Sequence, residues 1–478
     1  MILPFLLLFA AAPTEDLDKL LKRFIDVYAI AESEAADPVS ADQGIYQGAI
    51  PGMLRRLDPH SVFFDPSQFE QLKEMEKSER KGFGSVVAIL PGRVTVLQAL
   101  PGTPSAKAGL APGDEILAIN DVRLDRLTFE QLIEFLGMAR QRTAKLDVRR
   151  PGNVRLFQFV LNPELVDAPS VDRAFLLEPG VGYIRIASWD PQTARMFKEA
   201  IEKLGGEKLD GLVVDLRNNP GGVVQAALSA AELFLRPDQK LLTAKGRSFK
   251  QEEITVSKDA RPYVFPLAVV INGKTASASE IFAGAMQDHD RAVIVGESSY
   301  GKGLVQSVKP LANNTAIALT TAFYYTPSGR SIQRPLQGGQ LAVEMSKETY
   351  KTDRGRIVTG GGGIQPDTSA TEPPPTRLQL VLEASGVLTS FATEYLQKHK
   401  VDANFTVTAA ALDDFHVFAS ERGIQPGVGE WLQRREWIQN RIQQEIFNQA
   451  LGVEKGDEVE VRADAQIRAA RARLKTAP

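Results

Sequence analysis

The 478-residue chain contains no cysteine. Disulfides, thiolate zinc sites, iron–sulfur clusters and thiol nucleophiles are thereby excluded. Compartment stays open, because exported proteins can also do without cysteine. Histidine is scarce: His60, His289, His399 and His416 are the whole supply, so few histidine-based triads can be built. A net charge of only −3 gives no electrostatic case for nucleic acid. No apolar run reaches the roughly 20 residues of a membrane span. Internal repeats and long low-complexity segments are absent too. What is present is 43% hydrophobic and 24% charged, enough for a core of normal size. At about 150 residues per domain, the length implies two to four domains.

Four changes of pattern mark those domains. Met1–Ala12 reads MILPFLLLFAAA, which resembles a short secretory signal cleaved near Ala11 or Ala12, although its n-region lacks Lys and Arg. The competing reading is a buried first strand or helix. The signal reading places the protein outside the cytoplasm, in the periplasm or cell envelope. Residues 13–80 look helical, with Leu17, Leu20, Leu21, Phe24 and Val27 at i, i+3, i+4 spacing. A second helix is expected over Tyr46–Leu57, ending in LDPHSVFFDP. Residues 81–165 read as short strands with one amphipathic helix, Leu127–Met138, and a further helical turn at Ser105–Leu110. Residues 166–374 alternate strands and helices in α/β fashion. They include a strand at Gly211–Leu216, a helix at Pro191–Leu204 capped by Asp190, and the pair Ala268–Asn272 and Ser277–Gln287. Gly360–Gly363 and Pro373–Pro375 mark a boundary, and 375–478 reads as helical without evident chemistry. Its clearest helices are Trp431–Ala450 and Ala463–Leu474.

The chemistry concentrates in PLAVVINGKTASASEIFAGAMQDHDRAVIVGESSYGKGLVQSVKP, residues 266–310. An apolar strand turns at Ser277 into a helix. Ser277-Ala278-Ser279-Glu280 fits a capping box, which is a purely structural role. The same geometry sets a hydroxyl beside free helix N–H groups, which suit a developing oxyanion. Ser279 lies about 200° round the helix and cannot share that site. His289 lies past the far end of the helix, roughly 18 Å away at 1.5 Å per residue. Lys302, flanked by Gly301 and Gly303, is the better base, with Tyr300, Leu304 and Val305 as apolar walls. An ordinary lysine titrates near 10.4, and burial lowers that value, so a buried amine within reach of Ser277 can accept its proton. The alternative is a solvated loop lysine. Asp215-Leu-Arg-Asn-Asn-Pro-Gly-Gly222 delivers a turn with exposed amides onto a helix, suited to an oxyanion hole. It is not a phosphate loop, since no Gly-Lys-Ser/Thr follows. Its structural reading is a tight turn with Asp215 and Arg217 paired. Gly82-Phe83-Gly84-Ser85 opens the strand-rich module, and its amides suit a peptide C-terminal carboxylate.

Together these segments resemble the carboxyl-terminal processing proteases, the tail-specific serine peptidases of the S41 family. The resemblance spans most of 40–370. It rests on GAIPGMLRRLDPHSVFF, GFGSV with AGLAPGDEILAIND, DLRNNPGG, TASASEIFAGAMQDHDRAVIVGESSYGKGLVQ, TPSGRSIQ and GGGIQPD. Asp121 stands where the family commonly has glycine, and Leu336–Thr359 is an unusual insertion. The resemblance implies an α/β multidomain fold: a helical N-terminal region, a PDZ domain, an α/β (ClpP/crotonase-like) protease core and a helical C-terminal domain. It implies Ser277 as nucleophile, Lys302 as base and Gln306 as the residue positioning the lysine. Asp288 matches an acidic position that matters in some members. The amides of Ala278 and of Gly221 or Gly222 would form the oxyanion hole. No metal or cofactor is called for. The implied partners are proteins or peptides with unstructured C-termini, further copies of the chain and, in some relatives, a tetratricopeptide-type adaptor. The competing function is a PDZ-containing scaffold or chaperone that binds tails without cutting them. A weaker third reading makes His60 the base.

Overall fold

The computed structural model describes residues 16–76, 79–247, 250–337, 340–341 and 348–475. The signal-like run Met1–Ala12 lies outside them, as does part of the Leu336–Thr359 insertion. By compactness the chain divides into two units.

The first unit takes in the N-terminal segment to Phe69 together with Gln306–Thr320 and Leu336–Leu341. Its helix Leu17–Glu34 starts at Asp16, whose carboxylate accepts from the Asp18 amide at 3.3 Å. None of that helix's residues is buried. A π-helical stretch, Asp42–Ala49, runs into the helix Ile50–Arg55, somewhat ahead of the expected Tyr46–Leu57. The following LDPHS is organised by Asp58. Its carboxylate accepts from the amides of His60 and Ser61, both at 2.8 Å, and from the Ser61 hydroxyl at 2.7 Å. Burial works against its charge, yet these donors hold it below the usual carboxylate range. The chain then forms the strand Val62–Phe64, antiparallel to residues 316–318. This unit is therefore partly a sheet and discontinuous in sequence, where the spacing predicted a contiguous helical block.

In the second unit, six antiparallel strands form the module between Ser85 and Leu161: Ser85–Leu90, Arg93–Ala99, Glu115–Ile119, Val122–Arg123, Ala144–Arg149 and Leu156–Leu161. The helix Phe129–Ala139 begins with a Thr128/Gln131 capping box. Val94, Val96, Leu132, Leu146 and Val148 fill the core between sheet and helix. Asn120 and Asp121 both have positive φ, 48° and 63°. Both central residues of a tight hairpin turn of this hand need that region, which asparagine and aspartate tolerate better than other side chains.

The α/β core is a six-stranded sheet. In chain order its strands are β1 Val171–Glu178, β2 Val181–Ile186, β3 Gly211–Asp215, β4 Leu267–Ile271, β5 Val293–Gly296 and β6 Thr368–Ser369, and they lie side by side in that order. β2 to β6 are parallel and β1 is antiparallel to β2. Every residue of β3 and β4 is buried, as a parallel sheet covered on both faces requires. Alternate side chains choose the face. Leu212, Val214, Val269 and Ile271 meet α1 Thr193–Leu204, α2 Val224–Glu232 and α3 Ala278–Asp288. Asp190 does not cap α1 directly: the helix starts at Thr193, and the Asp190 carboxylate accepts from the Gln192 amide at 2.7 Å in a turn ahead of it.

The tail supplies α4 Arg377–Ser385, α5 Val387–Lys398, α6 Ala409–Glu421, α7 Val428–Ala450, α8 Val453–Ala463 and α9 Ala465–Leu474. α4 to α7 share a core of their own around Phe391, Phe415 and Ile442. α8 and α9 do something the sequence did not announce. Their Val461, Ile467, Ala470 and Leu474 cover Val213, Ala268, Val270 and Val295, the second face of the parallel sheet. The end of the chain thus completes the core of the α/β domain.

Candidate active site

Ser277 follows β4 through a turn in which the Asn272 amide donates to Thr275 Oγ1 at 3.0 Å and that hydroxyl donates to the Leu216 carbonyl at 2.8 Å. Ser277 itself has φ 56° and ψ −118°. Such a backbone costs a serine about 1–3 kcal/mol, and strain of this kind gathers at functional turns. The predicted capping relation is present: the Ser277 amide donates to Glu280 Oε2 at 2.9 Å, and the Glu280 amide donates to the Ser277 carbonyl at 2.8 Å.

Glu280 is more than a cap. The same Oε2 accepts from the Lys302 amide at 2.9 Å, while Oε1 accepts from the Gly301 amide at 2.8 Å and the Ser299 hydroxyl at 2.5 Å. The backbone nitrogens of Ser277 and Lys302 therefore lie within twice 2.9 Å of each other. Their carbonyls are gathered too. Tyr324 Oη lies 3.1 Å from the Ser277 carbonyl oxygen and 2.5 Å from that of Lys302. One carboxylate and one phenol thus clasp both residues, at the amide side and the carbonyl side. Glu280 and Tyr324 are fully buried. Burial pushes the Glu280 carboxyl up, although its four donors pull the other way. Burial, with Glu280 nearby, pushes the Tyr324 hydroxyl far above its ordinary value, so it stays a donor. Sequence reasoning saw Glu280 only as a cap and missed Tyr324. The one available signal was a tyrosine just before the Thr-Pro-Ser-Gly turn.

The Asp215–Gly222 loop lies against Ser277. A Cβ on Gly221, at φ 103°, would sit 2.8 Å from Ser277 Cβ, so only glycine fits. The Gly221 amide donates to Asn219 Oδ1 at 2.9 Å. Asn219 also donates to the Ile186 carbonyl at 2.8 Å, and its own carbonyl accepts from the Ala276 amide at 3.0 Å. With Gly221 committed, the amides of Gly222 and Ala278 are left without an acceptor among the described residues. Asp215 and Arg217 are paired, as the structural reading held, at 2.7 Å. Ser279 faces away from Ser277, accepting from Trp189 Nε1 at 2.9 Å.

Two other candidates lie elsewhere. Asp288 ends α3, a rise of about 16.5 Å from Ser277. There it pairs with the fully buried Arg330 at 2.8 Å and accepts from the Ser328 amide at 3.0 Å. Its place is in a buried ion pair that anchors the Thr-Pro-Ser-Gly-Arg turn, so any bearing on the chemistry is indirect. His289 lies next to it, with Nδ1 2.8 Å from Asp353 and Nε2 2.7 Å from the Lys240 carbonyl. In the first unit, Gln306 Nε2 donates to the His60 carbonyl at 2.5 Å.

At the module's entrance, the strand Glu79–Gly82 ends and Phe83–Gly84 turn into Ser85. Gly84 has φ 71°, and a Cβ there would overlap Thr103 Cβ at 2.3 Å. The Phe83 and Gly84 carbonyls are bound by the amides of Ser105 and Leu100 at 2.9 and 2.8 Å. The Phe83 and Gly84 amides have no acceptor among the described residues. Adjacent free amides of this kind suit a carboxylate. No cluster of metal-ligating side chains occurs among the described residues.

Comparison with known proteins bears on this site. Residues 180–338 match the profile of peptidase family S41, and residues 95–150 that of a PDZ domain. The carboxy-terminal-processing protease of Bartonella bacilliformis is 35% identical over 323 residues, covering 66% of this chain and 73% of the relative. The carboxyl-terminal-processing protease of a Synechocystis species is 35% identical over 292 residues, covering 60% of this chain and 68% of the relative. A solved structure titled photosystem II D1 C-terminal processing protease aligns with a TM-score of 0.42 at 24% identity, over 75% of this chain and 87% of the other.

Proposed function

The chain belongs to peptidase family S41 and its carboxy-terminal processing proteases, and from that premise we propose that Ser277 is its nucleophile and Lys302 its base. The clasp of both residues by Glu280 and Tyr324 carries the proposal, because a dyad needs its two side chains launched from fixed, adjacent points.

In this mechanism Lys302, neutral in the free enzyme, takes the hydroxyl proton as Ser277 Oγ attacks the scissile carbonyl. The amides of Gly222 and Ala278 receive the developing oxyanion. The tetrahedral intermediate collapses, Lys302 passes its proton to the leaving amine, and the new C-terminus of the substrate stays as an ester on Ser277. Water, deprotonated by Lys302, then releases it. The Phe83 and Gly84 amides hold the substrate's terminal carboxylate, and its tail adds a strand beside Ser85–Leu90.

Substrates on this reading are proteins with unstructured C-termini. The leader-like Met1–Ala12 supports export to the periplasm or cell envelope. Self-association and a tetratricopeptide-type adaptor remain proposals by analogy with the family. The deciding experiment compares wild type, Ser277→Ala and Lys302→Ala on a peptide with a free apolar C-terminus. Both variants should bind the tail and fail to cut it. Cleavage by Lys302→Ala at the wild-type rate overturns the base assignment.

A further inference from the structure

The tail helix α9 reaches the strand end that feeds the oxyanion loop. Arg217 leaves β3 immediately before Asn218-Asn219-Pro220-Gly221-Gly222. Its Nε and Nη2 grip the Asp215 carboxylate at 3.0 and 2.7 Å, and its own amide donates to Asp215 Oδ1 at 3.0 Å. That leaves Nη1, which donates to Asp464 Oδ2 at 2.7 Å and Gln466 Oε1 at 2.8 Å. Arg217 is 14% exposed and Asp464 13%, so water contributes little to holding this guanidinium.

Asp464 divides its two oxygens. Oδ1 caps α9 by accepting from the amides of Gln466 and Ile467 at 2.8 and 3.0 Å. Oδ2 is spent on Arg217. Gln466 divides its amide as well, with Nε2 donating to the Ala370 carbonyl at 2.7 Å. The start of α9 is therefore fixed by its own cap, by the backbone beside β6 and by the apolar face it lays on the sheet. A rigid helix end holds a cation whose carrier residue lies four positions before Gly221. Asp215 alone already balances the charge of Arg217. A second carboxylate and an amide add directional restraint more than neutralisation.

We infer that Asp464 and Gln466 are positioning residues for catalysis, orienting the Gly221–Gly222 loop through Arg217. The inference rests on the proposed oxyanion role of that loop. It gives the C-terminal helices a part in the reaction that the sequence of the tail does not suggest.

The test uses the full chain. Asp464→Ser keeps a capping hydroxyl but is too short to reach Arg217. Asp464→Ser with Gln466→Glu returns a carboxylate to Nη1 from the neighbouring position. With a fluorogenic peptide, Asp464→Ser should lower kcat about 10- to 100-fold, less than the roughly 100- to 1,000-fold of deleting an oxyanion donor. KM should stay within about twofold, because the peptide-binding groups are untouched. The double variant should regain most of the lost kcat. Wild-type kcat in Asp464→Ser overturns the inference. So does a loss that follows the folded fraction and is not regained in the double variant. Ser277→Ala in the same assay reads the parent proposal separately: if it cleaves like wild type, the site assignment fails whatever Asp464→Ser does.

Discussion

Replacing Glu280 by glutamine tests the clasp at its centre. Two carboxylate oxygens serve four donors: the Ser277 and Lys302 amides on Oε2, the Gly301 amide and Ser299 hydroxyl on Oε1. A glutamine keeps one acceptor and turns the other into a donor. With the new NH2 at the Oε2 position, two backbone N–H groups would face it. With the NH2 at the Oε1 position, only the Gly301 amide is orphaned, because the Ser299 hydroxyl can rotate and accept. The second arrangement costs less, at about 1–3 kcal/mol for one buried unsatisfied donor. Alanine would orphan three backbone amides, on the order of 3–9 kcal/mol by the same rule, comparable with the roughly 5–15 kcal/mol that hold a whole domain. Glutamine is therefore the informative variant. It should lose about 1–3 kcal/mol in equilibrium urea unfolding. Its kcat should fall by up to about 100-fold, the effect of an ångström of misplacement, with KM nearly unchanged. Acidification should act in the same direction on kcat only: the folded chain holds this proton more tightly than the unfolded chain does, so at Glu280 stability rises rather than falls as pH drops. Burial raises the Glu280 carboxyl above its ordinary value, so it takes up a proton before exposed carboxylates do and loses one acceptor. A Glu280→Gln protein with wild-type stability and wild-type kcat would refute the reasoning.

Other expectations follow from single groups. Asp288→Asn leaves the buried Arg330 charge without its carboxylate partner, so it should cost about 3–5 kcal/mol in urea unfolding. Its kcat per folded molecule should be unchanged, and a selective loss of kcat would restore Asp288 to the site. Burial, opposed by Arg173, holds the Asp457 carboxyl up to about 6, against an ordinary value of 3.8. The folded chain thus keeps a proton that the unfolded chain releases. This contribution to stability is full below the unfolded value and lost as pH rises through about 6. Unfolding measured from pH 4 to 7 should therefore show the stability gap between wild type and Asp457→Asn changing with pH, and a constant gap would contradict the assignment. Asp121→Gly relieves a positive φ in the hairpin turn. A thermal melt should show it slightly more stable, by up to about 1 kcal/mol; a loss would mean the side chain matters more than the backbone.

The parts of the site that read directly from the sequence are those built locally. The Ser277 turn, its relation to Glu280 and the Asp215–Arg217 pairing each span only a few residues. β3 and β4 announced themselves as apolar runs because both faces of the sheet are covered. What closes the second face was not legible. α9 looks like any amphipathic helix, and its partners Val270 and Val213 stand about 200 and 250 residues earlier in the chain. Tyr324 was invisible for the same reason, since an alternating strand gives a tyrosine no mark of what its hydroxyl will reach. That the Gly221 amide is already committed was visible only through the Asn219 side chain, whose carbonyl could turn several ways until its amide was tied to Ile186. In the first unit periodicity found the helix Leu17–Glu34 but not the sheet, because Val62–Phe64 becomes a strand only by pairing with residues 316–318.

The central proposal is that the Lys302 amine is uncharged at neutral pH and serves Ser277 as its base. Selective ¹³C labelling of lysine with NMR titration, using Lys302→Arg to assign the signal, reads that amine directly. The account predicts a Lys302 resonance that titrates well below the roughly 10.4 of ordinary lysines and tracks the acid limb of peptide cleavage. A Lys302 signal that titrates with the exposed lysines, in an enzyme already active at neutral pH, would contradict it.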